Sequence, residues 1–313
     1  EPTRSHVPIP ARVEYRVVLR FRAVGLCLAV RETQVERVAF RLSLDAARRQ
    51  EAERLRVSLG AVDTQLHVEI PNGRSEPVGW LNPTGDDVIV EIGPGHGAIT
   101  DALARLAGHL HAVELDRDLV ARLRRKYTDH PNVTVHEADA LQFDFASLGD
   151  RIRVVGNLPY NISTPLLFHL LKFREGILDM HFMLQKEVVD RMAAGPGSKA
   201  YGRLGIMLGC HLQIESLFDV PPEAFDPPPA VTSAVVRLDP LSPGTFDIKN
   251  EAGLSTLIST AFMQRRKTLR NSLKKSVEAT DFEAVGIDPG LRPEQVSIAD
   301  YVRLSNHLSQ KSR

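Results

Sequence analysis

The fold is decided by the stretch Asp87-Val88-Ile89-Val90-Glu91-Ile92-Gly93-Pro94-Gly95-His96-Gly97. Its first half is a short and nearly continuous apolar run, which is typical of a parallel strand that is buried on both faces. Its second half is a glycine loop, and residues 98–107 behind it show the pattern of a helix. A strand, a glycine loop and a helix make up the first half of a nucleotide-binding βαβ unit. The sequence therefore predicts an α/β fold built around this unit.

The glycine loop indicates the kind of ligand that the unit would hold. Gly93, Gly95 and Gly97 follow the pattern Gly-X-Gly-X-Gly, which is tighter than the Gly-X-Gly-X-X-Gly of dinucleotide sites. A tighter loop suits a ligand without a pyrophosphate, such as S-adenosylmethionine, whose carboxylate can lie near free N–H groups of the helix N-terminus. Glycines also form plain tight turns, so this loop alone is weak evidence for a cofactor site.

Three further strand ends carry candidate ligand contacts. Glu114 lies about 20 residues after the glycine loop, where an acidic side chain accepts hydrogen bonds from the two hydroxyls of a ribose. A surface carboxylate is the alternative for Glu114, and we expect Asp116 to cap the next helix. Asp139 and Ala140 follow the third predicted strand, at residues 132–136. The Asp139 carboxylate can accept a hydrogen bond there from the amino group of an adenine. Asn157 ends the fourth predicted strand. Four successive strand ends with candidate ligand contacts are more specific evidence than any one motif.

Asn157 opens the sequence Asn157-Leu158-Pro159-Tyr160, which offers three distinct contacts to a base. The side-chain carbonyl of Asn157 accepts a hydrogen bond from an amino group. Pro159 has no N–H, so the chain there presents backbone carbonyls rather than pairing in a ladder. Tyr160 supplies a flat ring. Two acceptors and a ring suit an exocyclic amine such as N6 of adenine, although a plain turn that ends a strand is the alternative.

A proline-rich loop at residues 221–231 holds a second aromatic candidate. Prolines flank Phe225 and stiffen the loop, so that an exposed ring can stack on a flipped base. The alternative is a hydrophobic plug beneath the loop. Around this loop the apolar patterns predict further elements, namely strands at 181–184, within 205–218 and at 233–238, and a helix at 186–193.

The residues after a linker at 240–244 are basic and show helical spacing. Arg266, Arg270 and Lys274 are expected to share one helix face, and the apolar residues Phe262, Leu269 and Leu273 the opposite face. No acidic residue occurs in 265–275, which favours a phosphate-binding stripe over a solvated face of mixed charge. The candidate contacts to RNA are Arg265, Arg266, Lys267, Arg270 and Lys274.

Composition limits the classes of protein that the chain can belong to. It has 313 residues and no formal net charge, so any role with nucleic acid has to rest on local patches. Its two widely separated cysteines argue against a disulfide framework or a zinc site and favour a reducing compartment, which we expect to be the cytoplasm. We expect no metal ion in the site. Its longest early apolar run, residues 23–30, is too short to span a bilayer.

Several of these motifs together resemble the KsgA-type small-subunit (16S) ribosomal RNA adenine N6-dimethyltransferases. The resemblance covers about Leu81 to about Leu308 and is most specific in the runs 157–165 and 264–273. The family is similar in fold to the class I S-adenosylmethionine-dependent methyltransferases. The resemblance therefore implies a Rossmann-like seven-stranded sheet with one antiparallel strand, and a small helical C-terminal domain.

The resemblance also implies an activity, a cofactor and roles for individual residues. It implies that methyl groups pass from S-adenosylmethionine to N6 of two adjacent adenosines near the 3′ end of small-subunit rRNA, as a step of ribosome biogenesis. The expected partner is that rRNA or a pre-assembled small ribosomal subunit, which a monomer would bind. The residues implied to contact the cofactor, the target amine or the target base are Gly93, Glu114, Asp139, Asn157, Tyr160 and Phe225.

The N-terminal residues 1–78 depart from the family pattern. The family opens with a basic segment and a Gln-Asn/His-Phe-Leu motif, whereas this chain has Gln65-Leu66-His67-Val68 at the corresponding distance before the glycine loop. Within this part only residues 38–59 show an amphipathic helical pattern. We therefore divide the chain into an atypical, poorly folded segment at 1–80, a methyltransferase domain at 81–240 and a helical RNA-binding domain at 241–313.

Three alternative functions are compatible with parts of the sequence. A large-subunit rRNA adenine methyltransferase shares the glycine loop and the Asn-X-Pro-Tyr motif, but the match at residues 262–273 argues against it. A DNA adenine methyltransferase would require an inserted recognition domain, which the sequence does not show. A non-catalytic ribosome-assembly or transcription factor built on the same fold would not need to bind S-adenosylmethionine.

Overall fold

The computed structural model describes residues 78–159, 161–225 and 228–311, together with the backbone of four strands near the N-terminus. The predicted helix at 38–59 lies outside the described residues. The four strands pair in antiparallel fashion in the order β2-β1-β3-β4. Their bounds are β1 (Arg16–Arg20), β2 (Cys27–Arg31), β3 (Gln65–Glu69) and β4 (Ser75–Glu76).

A seven-stranded sheet forms the centre of the described structure. The strands are β5 (Val88–Ile92), β6 (His109–Glu114), β7 (Val133–Glu137), β8 (Ile152–Asn157), β9 (Ile177–Gln185), β10 (Leu212–Val220) and β11 (Ser233–Pro240). Their order is β10-β11-β9-β8-β5-β6-β7. Only β11 runs antiparallel to its neighbours in this sheet, and the other pairs are parallel. This arrangement confirms the predicted fold.

Helices cover the sheet and then form a second unit beyond β11. Those between the strands are α1 (Thr100–Leu106), α2 (Arg117–Lys126), α3 (Ser163–Leu170), α4 (Lys186–Ala193) and α5 (Arg203–Gly209). Those after the sheet are α6 (Glu251–Met263), α7 (Leu269–Ser272), α8 (Ala279–Val285) and α9 (Ile298–Lys311). Asp116 caps α2 as predicted, because its side chain accepts from the backbone N–H groups of Asp118 and Leu119. No helix in the described ranges has both the length and the apolar character needed to cross a membrane.

The prediction of a strand within 205–218 was wrong for its first half. Helix α5 occupies Arg203–Gly209, and β10 begins only at Leu212. A short apolar run fits a buried helix as well as a buried strand, and its pattern alone does not separate them. Tertiary packing decides here, because a Cβ added to Gly205 would lie 2.7 Å from the carbonyl oxygen of Arg191 at the end of α4. The glycine lets the two helices approach closely.

The described part of the chain has three larger apolar cores, and one of them, with Ile89, Leu103 and Leu110, lies between the sheet and helices α1 and α2. The other two bear on the division of the chain. One lies between the sheet and its helices and includes Val154, Phe182 and Val236. The other lies among α6 to α9, and it also takes in Tyr201 and Ile206 from the segment before β10. Helix α5 packs on both cores, because its Leu208 lies in the sheet core and its Ile206 in the helical core. The domain boundary at 240/241 stays a prediction.

Candidate active site

The glycine loop joins β5 to α1 at the carboxyl edge of the sheet. Gly93, Gly95 and Gly97 have φ angles of 66°, 57° and 89°, in the left-handed region where residues with a Cβ are strained. A Cβ added to Gly93 or to Gly95 would meet nothing within 4 Å, so both face open space. The loop is therefore shaped for the close approach of a ligand.

Glu114 lies directly beside this loop, as the sequence predicted. Its carboxylate is mostly buried and is held by backbone N–H groups from two sides. Oε2 accepts from the N–H of Gly95 at 3.2 Å, and Oε1 accepts from the N–H groups of Leu115 and Asp116 at 2.9 and 3.0 Å. The carboxylate is thereby fixed at the end of β6, one strand away from the loop.

Glu91 is a buried acid that the sequence reasoning did not single out. It is 2% exposed, and neither its Oε2 nor the nearby Oγ1 of Thr100 has a hydrogen-bond partner among the described residues. Burial raises the pKa of Glu91 to about 7, Asp101 and Glu114 add to this rise, and Thr100 and Lys126 oppose it. The signal in the sequence was an acid inside an otherwise apolar, doubly buried strand.

A second polar cluster supports the glycine loop from the side of α2. Lys126 Nζ lies 2.7 Å from Asp101 Oδ1, and Tyr127 Oη donates to the same oxygen at 2.7 Å. A Cβ added to Gly97 would lie 3.2 Å from both Lys126 Nζ and Tyr127 Oη. Burial alone would raise the pKa of Asp101, but the hydrogen bonds from Lys126 and Tyr127 outweigh it and hold that pKa below its ordinary value. This cluster fixes the second half of the loop.

Asp139 and Ala140 follow β7 at the same edge of the sheet. Asp139 is half-buried, and its Oδ1 accepts from the N–H of Leu141 at 2.9 Å. Its Oδ2 accepts from the side chain of Gln142 at 3.1 Å, so this carboxylate already has partners within its own turn. Ala140 is buried and packs in the sheet core. Their contact with a cofactor stays a prediction.

Asn157 ends β8 and is exposed at the carboxyl edge, next to β9. Pro159 is exposed as well, but its carbonyl oxygen accepts from the N–H groups of Ile162 and Ser163, each at 3.2 Å. Both lone pairs of that oxygen are therefore used inside the turn that leads into α3. The Leu158 carbonyl is the other oxygen of this turn, and the contact of the chain at Pro159 with a ligand stays a prediction.

The two aromatic candidates differ in what the structure describes. Tyr160 lies outside the described residues. Phe225 is half-buried and packs on a small apolar cluster that includes Val220 and Ala224, as the plug alternative predicts. Met183 packs on the same cluster and is the register partner of Asn157. Phe225 and Met183 thus pack on one cluster, and the contact of Phe225 with a base stays a prediction.

The basic C-terminal segment is not one continuous helix. Helix α6 ends at Met263, residues 264–267 form a turn, and α7 is only the four residues Leu269–Ser272. The prediction that Arg266, Arg270 and Lys274 share a helix face was therefore wrong. The break follows from distant partners, because the N–H groups of Leu269 and Arg270 donate to the carbonyls of Leu291 and Pro289 instead of continuing α6. The apolar side was predicted correctly, since Leu269 and Leu273 are buried and Phe262 packs on the helical core.

The candidate RNA contacts fall into two groups in the structure. Arg266, Lys267, Arg270 and Lys274 are exposed. Arg265 is partly exposed and is held by the protein itself, because its Nη2 donates to the carbonyl of Lys199 at 2.7 Å and its Nε lies 3.8 Å from Glu294 Oε2. The structure thus gives Arg265 a partner inside the protein.

Known proteins resemble the chain over most of its length. The family model for ribosomal RNA adenine dimethylase matches residues 76–310. The protein called ribosomal RNA small subunit methyltransferase A from Aromatoleum aromaticum is 54% identical over 242 residues, which is 77% of this chain and 91% of that protein. Its counterpart of the same name from Thiobacillus denitrificans is 56% identical over 234 residues, with coverages of 75% and 91%.

Solved structures give the same result for the fold. A dimethyladenosine transferase from Plasmodium falciparum is 25% identical and superposes with a TM-score of 0.64, over 74% of this chain and 93% of that one. The 23S rRNA methyltransferase ErmE is 24% identical with a TM-score of 0.60, over 74% and 95%, and it supports the fold alone. The described sheet is accordingly a class I methyltransferase sheet, and the chain belongs to the ribosomal RNA adenine dimethylase family.

Proposed function

We propose that the chain is an S-adenosylmethionine-dependent rRNA adenine N6-dimethyltransferase that acts, as a monomer, on two adjacent adenosines near the 3′ end of small-subunit rRNA. One observation carries the proposal. The glycine loop, Glu114, Asp139 and Asn157 stand at successive strand ends along one edge of the sheet. In an open α/β sheet this edge is where ligands bind. The relatives named as small-subunit methyltransferases support the choice of substrate.

The residues at this edge fit S-adenosylmethionine, which would supply a methyl group on a sulfonium ion. The positive φ angles and open space at Gly93 and Gly95 admit a ligand close to the backbone. Glu114 is held where its carboxylate would accept hydrogen bonds from the ribose hydroxyls of a nucleoside. Glu91 stands in β5 just before the loop, and its buried Oε2 has no hydrogen-bond partner among the described residues.

The target amine is positioned by the turn after β8. The N6 lone pair of adenine is delocalised into the ring, so the free amine is a poor nucleophile. Its two N–H groups would donate hydrogen bonds to the Asn157 side chain and to the Leu158 carbonyl. These bonds would favour a pyramidal nitrogen whose lone pair points at the methyl group. No general base is needed before attack, because the amine becomes acidic only as it gains the methyl group. Alignment supplies most of the acceleration.

The target base has to leave its stack before it reaches this turn. We assign Tyr160 and Phe225 to hold the flipped base, and the packing of Phe225 on the same apolar cluster as Met183, the register partner of Asn157, supports its part of this role. Arg266, Lys267, Arg270 and Lys274 are assigned to phosphates, because they are exposed and stand in a segment without acids. Phosphate contacts position RNA without reading its sequence.

The test is methyl transfer to three substrates in parallel, namely naked small-subunit rRNA, small ribosomal subunits that lack the modification, and large subunits. Digestion of the RNA followed by mass spectrometry measures N6,N6-dimethyladenosine. We expect this product from small-subunit substrates only. Product on large subunits alone would favour the large-subunit alternative. No product on any substrate, together with no binding of S-adenosylmethionine in calorimetry, would favour a non-catalytic factor.

A further inference from the structure

Two segments without acidic residues carry exposed basic side chains. Residues 191–214 contain no aspartate or glutamate, and Lys199 and Arg203 in this segment are exposed. Residues 264–277 contain none either, and Arg266 and Lys267 are exposed there. The whole chain has no formal net charge, so two such segments are local excesses of positive charge. The sequence separates them, but the fold brings them together.

Arg265 joins the two segments directly. Its Nη2 donates to the backbone carbonyl of Lys199 at 2.7 Å, and its Nε faces the Glu294 carboxylate at 3.8 Å. The Glu294 carbonyl in turn accepts from the N–H of Gly197 at 2.7 Å. The Tyr201 hydroxyl, which is buried, donates to the carbonyl of Val296 at 3.1 Å. The loop at 195–202 is therefore held against the helical unit by one backbone hydrogen bond and by the side chains of Arg265 and Tyr201.

This geometry points to one composite phosphate-binding surface, which we propose consists of Lys199 and Arg203 together with Arg266 and Lys267. Its ligand is the phosphate backbone of RNA, and the proposal rests on the function proposed above. Arg265 is a positioning residue in this arrangement. Its guanidinium contacts the Lys199 carbonyl and the Glu294 carboxylate rather than RNA. It thereby sets the distance between the two basic segments. Glu294 does not neutralise the surface, because it faces Arg265.

Salt-dependent RNA binding tests the surface. The probe is transcribed small-subunit rRNA, and the variants are Lys199→Ala, Arg203→Ala and the double variant. Each lost phosphate contact should weaken binding several-fold and lower the slope of log affinity against log salt by about 0.7 to 0.9. Lys172→Ala is the matched control, because Lys172 is exposed near the opposite, amino edge of the sheet. A double variant with wild-type affinity and slope overturns the surface.

A double-mutant cycle tests the positioning role of Arg265. If Arg265 acts through the 195–202 loop, Lys199→Ala should have a smaller effect on RNA affinity in an Arg265→Met background than in the wild type. Additive effects would show that Arg265 is an independent phosphate ligand and would overturn the positioning role. Thermal unfolding of each variant, and its binding of S-adenosylmethionine, should stay near the wild type.

The same measurements keep the two proposals apart. If the wild-type chain methylates small subunits but the Lys199 and Arg203 variants bind RNA normally, the proposed surface is contradicted and the proposed function is not. If RNA binding depends on salt through these residues but no rRNA is methylated, the proposed function is contradicted and the proposed surface is not. Wild-type protein that shows no salt-dependent binding of RNA contradicts both.

Discussion

The two edges of the seven-stranded sheet treat buried charge in opposite ways. At the amino edge, the buried guanidinium of Arg153 is paired with both carboxylate oxygens of Asp179, with Asp87 and with the carbonyl of Leu81. At the carboxyl edge, Glu91 has a buried oxygen without a partner. Buried polar groups are normally satisfied, so the first edge is built to hold the fold and the second is left incomplete for a ligand. The comparison predicts that substitutions at the two edges change different properties.

The largest effect on stability is expected at the amino edge. Arg153→Met would leave Asp179 and Asp87 without their buried partner and should lower the free energy of unfolding by about 3 to 5 kcal/mol. Urea unfolding measures this change. The control is Arg237→Met, because Arg237 pairs with the partly exposed Asp239 and its loss should cost under about 1 kcal/mol. Equal effects in the two variants would contradict a structural role specific to the amino edge.

Glu91 should make stability depend on pH in the absence of cofactor. The pKa of Glu91 is about 7 in the folded protein against an ordinary value of 4.5, so the folded state holds a proton that the unfolded state releases. Stability from this group is present below pH 4.5 and is lost as pH rises to 7 and above, by about 3 kcal/mol in full. As pH rises from 4.5 to 8.5, the unfolding free energy of Glu91→Gln should therefore increase by about this much relative to that of the wild type. A constant difference in unfolding free energy over that range would contradict the burial argument.

A smaller effect is expected from the support of the glycine loop. Tyr127→Phe removes the hydroxyl that donates to Asp101 and should lower the unfolding free energy by about 1 kcal/mol. Because this cluster fixes the loop around Gly97, the affinity for S-adenosylmethionine should fall several-fold while the rate at saturating cofactor stays the same. Calorimetry and saturation kinetics separate the two. Asp190→Asn, which breaks the exposed ion pair with Lys186, is the control and should change neither.

How much of this comparison could be predicted from the sequence depends on the range of the interactions. The strand ends with the glycine loop, Glu114 and Asn157 were predictable, because each follows an apolar run and local spacing places it. The break before Leu269 and the hydrogen bond of Arg265 within the protein were not, because they depend on the carbonyls of Leu291 and Lys199, which are distant in sequence. Patterns of charge locate basic segments, but they do not show which guanidinium is already used inside the protein.

Asn157→Ala is the substitution that separates the two edges most sharply. The side chain is exposed, so its removal should leave the free energy of unfolding and the affinity for S-adenosylmethionine unchanged. The account predicts that the single-turnover rate of methyl transfer to small ribosomal subunits falls by about 10²-fold or more, because the amide acts chiefly in the transition state. A variant with wild-type stability, wild-type cofactor affinity and an unchanged transfer rate would contradict the assignment of the chemistry to the carboxyl edge.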